Sequence, residues 1–211
     1  DSNIDSNYAC TYYPWVKTFD SDNNQYIYLP PTKDVVKNFA YTDNTAYPWF
    51  PAAGYSRGRI SGVNPKKVLK LSEQDELYGG RINFINKFAS EGMRIWGDKN
   101  LQVAESQMNR ISKRRLLVRI RKLLSIACIG LIFDPNDNTT VKSFKSAVEP
   151  ILDDIRNKRG LTDYRIEVDD SQEARDRLEL PAKIYLKLQP NLEYIDISFV
   201  ITPSGANFDD V

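Results

Sequence analysis

The chain has 211 residues, 29 Lys+Arg against 28 Asp+Glu, 41% hydrophobic residues and no histidine. That balance excludes a disordered chain and a membrane-spanning one, and a net charge of +1 does not mark a dedicated nucleic-acid binder. The lack of histidine excludes every His-containing catalytic triad and removes the commonest zinc and non-haem iron ligand.

The length suits one domain spanning residues 1–211. Residues 1–30 hold no apolar h-region, so no signal peptide is expected, and the opening at Asp1 points to a processed chain or a fragment. Within residues 1–31 two aromatic runs, Ala9–Phe19 and Gln25–Leu29, flank Asp20-Ser21-Asp22-Asn23-Asn24 and predict a hairpin or a pair of edge strands. Thr32 is placed to cap a short helix Lys33–Tyr41 with Val35, Val36 and Phe39 on one side. Residues 42–70, punctuated by Pro48, Pro51, Gly54, Gly58, Gly62 and Pro65, read as an ordered loop that packs Trp49, Phe50 and Tyr55. Ser72 followed by Glu73 and Asp75 opens a helix that Gly79-Gly80 closes, and Ile82–Phe88 and Met93–Trp96 read as strands.

The long helix near residues 110–131 is the clearest element. A 100° wheel puts Leu116, Leu117, Ile120, Leu123, Leu124, Ala127 and Leu131 on one arc. Arg110, Arg114, Arg115, Arg119, Arg121 and Lys122 fall on the opposite half. Residues 126–133 are so apolar that they are expected to be buried all round or to enter a strand. A second helix, Thr140–Arg159, kinked or restarted at Pro150, ends at Gly160. Tyr164–Val168, Ala182–Leu188 and Glu193–Thr202 are expected strands, with a short helix at Ser171–Leu178 and a polar tail from Pro203. Cys10 and Cys128, far apart in sequence, read as buried, reduced thiols.

Catalytic templates fail one by one. Gly54, Gly58 and Gly62 do not make a dinucleotide fingerprint, and there is no P-loop. Asp20-x-Asp22-x-Asn24 starts like a calcium loop but has Gln25 at the sixth position and Pro31 at the twelfth, so it reads as a turn. Asp134-x-Asn136-x-Asn138 fails in the same way at Lys145. Asp153 and Asp154 point about 100° apart on a helix, and Asp169-Asp170 reads as a solvated pair. No catalytic, cofactor or metal-binding residue is assigned, and the chain is not read as an enzyme.

One constellation stands out: Arg110, Lys113, Arg114, Arg115, Arg119, Arg121 and Lys122 place seven cations in thirteen residues. A solvated helix face accounts for it without further function. RNA binding would want aromatic residues beside the cations, and a membrane-surface helix would want Trp or Phe at its apolar boundary. An acidic protein partner fits best, because arginine makes two-point contacts with carboxylates.

Several ordered segments together resemble the tail sheath proteins of contractile-tailed bacteriophages, in their C-terminal, tube-proximal portion. They are Tyr12-Tyr13-Pro14-Trp15, Leu29-Pro30-Pro31, Pro48-Trp49-Phe50-Pro51-Ala52-Ala53-Gly54 with Arg57-Gly58, and Gly92-Met93-Arg94-Ile95-Trp96-Gly97-Asp98-Lys99-Asn100-Leu101. The Arg-rich helix, Phe133-Asp134-Pro135-Asn136 and Phe199-Val200-Ile201-Thr202-Pro203-Ser204-Gly205-Ala206-Asn207-Phe208 complete the set. Sheath proteins of this kind usually carry longer N-terminal and inserted outer domains, so the segment is expected to be the inner part of such a protein.

The resemblance implies an α/β (α+β) domain: a small mixed sheet with several helices, one long and amphipathic, the sheet extended by arms of neighbouring subunits. It implies a virion component, made and assembled in the host cytoplasm. Hexameric rings would stack around the tail tube and contract to drive that tube through the host envelope. Implied partners are further sheath subunits, the tail tube protein, and baseplate and tail terminator proteins, with no nucleic acid, no membrane insertion and no cofactor. The seven basic residues would face the tube. Phe199, Ile201, Pro203, Ser204, Gly205, Ala206, Asn207 and Phe208 would form an inter-subunit arm, with 203–211 as its end, joined by strand addition. Trp15, Trp49 and Trp96 are candidate interface anchors, Trp96 being expected in the core. Arg114→Glu with Arg121→Glu is expected to leave folding intact and weaken assembly on the tube. Two other readings stay open: a sheath of a non-phage contractile injection machine, and a basic-helix adaptor for an acidic protein or RNA.

Overall fold

The computed structural model describes residues 4–195. It is a mixed α/β fold whose strands divide among three small sheets instead of the single one expected. The first break comes at Pro14. Proline has no N–H to donate to a ladder, so the first aromatic run splits into β1 (Thr11–Tyr13) and β2 (Val16–Asp20). β1 runs parallel to β5 (Ile82–Phe88), which pairs antiparallel with β6 (Gly92–Trp96). β2 instead pairs with β3 (Gln25–Leu29) and with the two-residue β4 (Asn64–Pro65).

The β2–β3 hairpin is the one the sequence predicts, Val16 facing Leu29 and Asp20 facing Gln25. Its turn is made by Asp20, whose Oδ1 accepts from the Asp22 amide at 3.1 Å and whose Oδ2 accepts from Asn23 Nδ2 at 2.8 Å. The carboxylate serves the turn, as an Asx-turn requires.

α1 spans Thr32–Thr45, four residues beyond the expected end, and Thr32 is its first residue instead of its cap. Val35 is buried while Val36, one position and about 100° further round, is exposed. α2 (Gly54–Arg57) and β4 give the middle loop more regular structure than its Pro and Gly content suggested. α3 (Leu71–Gly79) has its N-cap at Lys70 and not at Ser72, because Glu73 Oε2 accepts from the Lys70 amide at 2.9 Å.

α4 (Ile111–Cys128) and α5 (Asn138–Asn157, with Pro150 inside it) lie against the third sheet, β7 (Leu161–Val168) with β8 (Ala182–Leu188). α6 (Gln172–Asp176) connects those two strands, capped by Ser171. Asp137 caps α5 by accepting from Thr139 and Thr140 amides, both at 2.9 Å.

Two apolar cores result. Val16, Val35, Ile60, Ile85, Met93 and Ile95 fill the one between the first two sheets and α1. Trp49, Leu116, Ile120, Val148, Leu152, Ile155, Leu161 and Leu188 fill the other. Trp49 reaches this second core from the loop after α1, donating from Nε1 to the Lys158 carbonyl at 3.0 Å. It is therefore the core tryptophan, whereas Trp96 is partly exposed, in an edge contact with Tyr55 and a tilted one with Phe88.

Residues 126–133 are neither buried all round nor a strand. After Cys128, the last α4 residue packed on the core, the chain turns once as a 3-10 helix at Ile129–Leu131; Ile126, Ile129, Ile132 and Phe133 are exposed. Both cysteines are unpaired as expected, but Cys10 is exposed and Cys128 half-buried. Of the strand expected at Glu193–Thr202, residues 193–195 are described and lie outside any strand; the remainder falls outside the described residues. No helix is long and apolar enough to cross a membrane among the described residues.

Candidate functional site

α4 begins where Asp98, in the loop after β6, meets its first turn. The Asp98 carbonyl accepts from the Ile111 amide at 2.8 Å, and its carboxylate accepts from the Ser112 amide at 3.1 Å and from the Ser112 hydroxyl. An acid distant in sequence thus does the work of an N-cap, satisfying donors at the positive end of the helix. Burial pushes its carboxyl up to about 6, despite the opposing bonds from Ser112 and the charges of Lys113 and Arg110.

The same turn holds residues 189–193, which follow β8. Lys113 is buried, 4% exposed, and its ammonium donates to the Gln189 carbonyl and to Asn191 Oδ1 at 2.9 Å. Asn191 Nδ2 donates to Ser112 Oγ at 3.1 Å. Arg110 pairs with Glu193 through Nε and through Nη2, the latter at 2.9 Å from Oε2, and Tyr78 donates its hydroxyl to the same carboxylate oxygen at 2.9 Å. Burial lowers the pKa of Lys113 and raises that of Tyr78, which the neighbouring Glu193 charge raises further. Burial alone would raise Glu193; the bonds from Arg110 and Tyr78 outweigh it and leave its pKa lowered.

The seven basic residues therefore do not share one face. Arg110 and Lys113 turn to the strap of residues 189–193. Arg114 lies over the Tyr8 ring at 3.5 Å, and Arg115 lies over Phe39 at 4.7 Å while pairing with Asp43. Arg119, Arg121 and Lys122 are exposed, with no ion pair among the described residues. A wheel assigns direction from sequence spacing alone; it does not register that Asn191 and Gln189 arrive over the Lys113 side. This also revises the double substitution: Arg114 is packed on a ring, so replacing it tests packing as well as charge.

The arm residues Phe199, Ile201, Pro203, Ser204, Gly205, Ala206, Asn207 and Phe208 lie outside the described residues. Sequence reasoning missed Asp98, Ser112, Tyr78, Asn191 and Glu193 as a group. The one signal was negative: α4 has no Ser, Thr, Asp or Asn in the position directly before Ile111, so its cap had to come from elsewhere. No set of three or more Cys, Asp or Glu side chains is placed to hold a metal ion among the described residues.

No family model matches the chain. The tail sheath protein of Vibrio phage KVP40 is 33% identical to it over 99% of this chain and 32% of that protein. The tail sheath protein of Enterobacteria phage T4 is 28% identical over the same shares. Among solved structures, the sheath complex of the extracellular contractile injection system PVC, in the contracted state, matches with a TM-score of 0.85 and 23% identity, over 98% of this chain and 58% of that one. The contracted helical sheath of the anti-feeding prophage matches with a TM-score of 0.81 and 21% identity, over 95% and 59%. These structural likenesses establish a shared fold. The chain spans about a third of the length of the curated relatives. Identity at this level runs from end to end of the chain, which is thus similar to a portion of the tail sheath proteins of contractile phage tails.

Proposed function

We propose that the chain is the tube-proximal, C-terminal part of a sheath subunit, polymerising in stacked rings around a tail tube in the virion and contracting to drive that tube through the host envelope. The observation that carries this reading is the 33% identity to a phage sheath protein along 99% of the chain. The geometry supports a structural role. Exposed aliphatic and aromatic side chains at Ile126, Ile129, Ile132 and Phe133 make an apolar ridge of the kind that mating surfaces use. Residues 189–193 are tied firmly to the first turn of α4, a fixed point against which an arm reaching a neighbouring sheet would pull. Exposed cations at Arg119, Arg121 and Lys122 offer a weak, repeated attraction for an acidic tube, each pair contributing only about 0–1 kcal/mol. Partners in this reading are other sheath subunits, the tube, the baseplate and the tail terminator.

A non-phage injection-system sheath is the second reading, favoured by the shared fold with two such machines. The phage reading is preferred on the identities, 33% and 28% against 23% and 21%. Negative-stain electron microscopy of the whole parent protein, with and without its tail tube, tests the reading. Hollow tubes with a helical surface lattice are expected; dispersed particles in both preparations would overturn it.

A further inference from the structure

A groove of about 480 Å³ lies between the segment around Tyr8, α1 and the outer side of α4. Tyr8, Phe39 and Val118 give it an apolar lining. Arg114, Arg115, Arg119 and Lys122 also line it, against the single carboxylate of Asp43, leaving an excess of three positive charges. Arg114 and Arg115 are stacked on the Tyr8 and Phe39 rings. Arg114 Nε and Arg115 Nη1 are buried with no acceptor among the described residues. Stacking also fixes the two planar forks, so that less side-chain freedom is lost when a partner binds.

A flat cationic face would attract any acidic surface. A concave site with cations and an apolar lining selects more narrowly: it rewards an apolar side chain that enters and carboxylates that stay at the rim. We propose that this groove receives a protruding segment of a partner protein in which acidic residues flank one aliphatic or aromatic side chain. The proposal rests on the reading of α4 as a helix that meets an acidic protein, and it replaces a sliding surface contact with an inserted anchor.

The test uses the 211-residue chain without any tube. Its arginine Nε–Hε resonances are followed by NMR while the peptide acetyl-Gly-Asp-Leu-Asp-Gly-amide is added. Shifts at Arg114 and Arg115 are expected with a dissociation constant on the order of 1 mM, as suits a short flexible ligand. Replacing both aspartates of the peptide by asparagine, or its leucine by serine, should weaken binding at least about tenfold. Arg119→Gln with Lys122→Gln, two exposed positions, should weaken it similarly without moving the melting temperature. Equal shifts from all three peptides, no shift at all, or a stronger response to a uridine oligonucleotide than to the acidic peptide would each overturn the proposal. Shifts that grow with protein concentration alone would assign the groove to a second copy and overturn it too. None of these outcomes depends on whether the parent protein forms sheath tubes.

Discussion

Arg110 and Glu193 stand eighty-three residues apart and share a two-point ion pair that ties the chain after β8 to the first turn of α4. Their side chains are about one-fifth exposed, so the pair is partly screened. Its role is positional. Together with the Lys113 and Tyr78 bonds it holds residues 189–193 against α4.

Glu193→Gln should loosen that strap without unfolding the chain. The expected loss of stability is about 1 kcal/mol, from one weakened charge-assisted contact and one retained neutral hydrogen bond. Hydrogen exchange should rise at amides 191–195 and stay unchanged in α5. Unaltered exchange in both regions would show that the pair does not hold the strap.

Lys113→Met should cost considerably more, about 2–3 kcal/mol, because it strands the Gln189 carbonyl and Asn191 Oδ1 in a buried site. Urea unfolding measures the difference. The triple substitution Arg119→Glu, Arg121→Glu, Lys122→Glu is the converse case: exposed positions should leave stability within about 0.5 kcal/mol per site, yet weaken assembly of the parent protein on its tube. Normal tube decoration by that variant would remove the cationic face from the mechanism.

Asp98 predicts an unusual pH profile. Its carboxyl titrates near 6 in the fold and near 3.8 in the unfolded chain, so the native state holds the proton more tightly. Its contribution is fully present below the unfolded value and is lost as pH rises through about 6. The loss is up to about 3 kcal/mol at 1.36 kcal/mol per pH unit. Glu193 acts in the opposite sense, losing its contribution as pH falls through a lowered value, below the window in question. Between about pH 4.5 and 6.5 stability should therefore fall with rising pH, and Asp98→Asn should flatten the curve. A wild-type profile that is flat across this window would mean that Asp98 is not held in a desolvated site.

Gly58 joins the middle loop to β6. A Cβ there would sit 2.6 Å from both the Gly54 and Ile95 carbonyl oxygens, while its own carbonyl accepts from the Ile95 amide at 2.7 Å. Gly58→Ala should cost about 1–3 kcal/mol, since two backbone atoms must move. Thermal melting of the single variant checks it, and an unchanged midpoint would show that the loop is not clamped to the sheet.

Elements whose signals are local were legible in the residues themselves. The Asp20–Asn24 turn, the α4 and α5 amphipathic patterns, Gly79-Gly80 as a stop, and strands β5, β6 and β8 all follow from periodicity and turn chemistry within a few positions. The resemblance to tail sheath proteins is carried by local segments such as Pro48–Gly54 and Gly92–Leu101. Which strand pairs with which, how the seven cations divide and where the apolar run 126–133 ends up were decided by tertiary structure. Pairing β1 with β5, placing Asp98 beneath α4 and bringing Gln189 and Asn191 over Lys113 are contacts between residues far apart in sequence. A helix wheel cannot distinguish a cation facing water from one covered by a distant loop, because both occupy the same angle; only the arrival of that loop sets the difference in desolvation that makes Lys113 an anchor and leaves Lys122 a free charge on the exposed side.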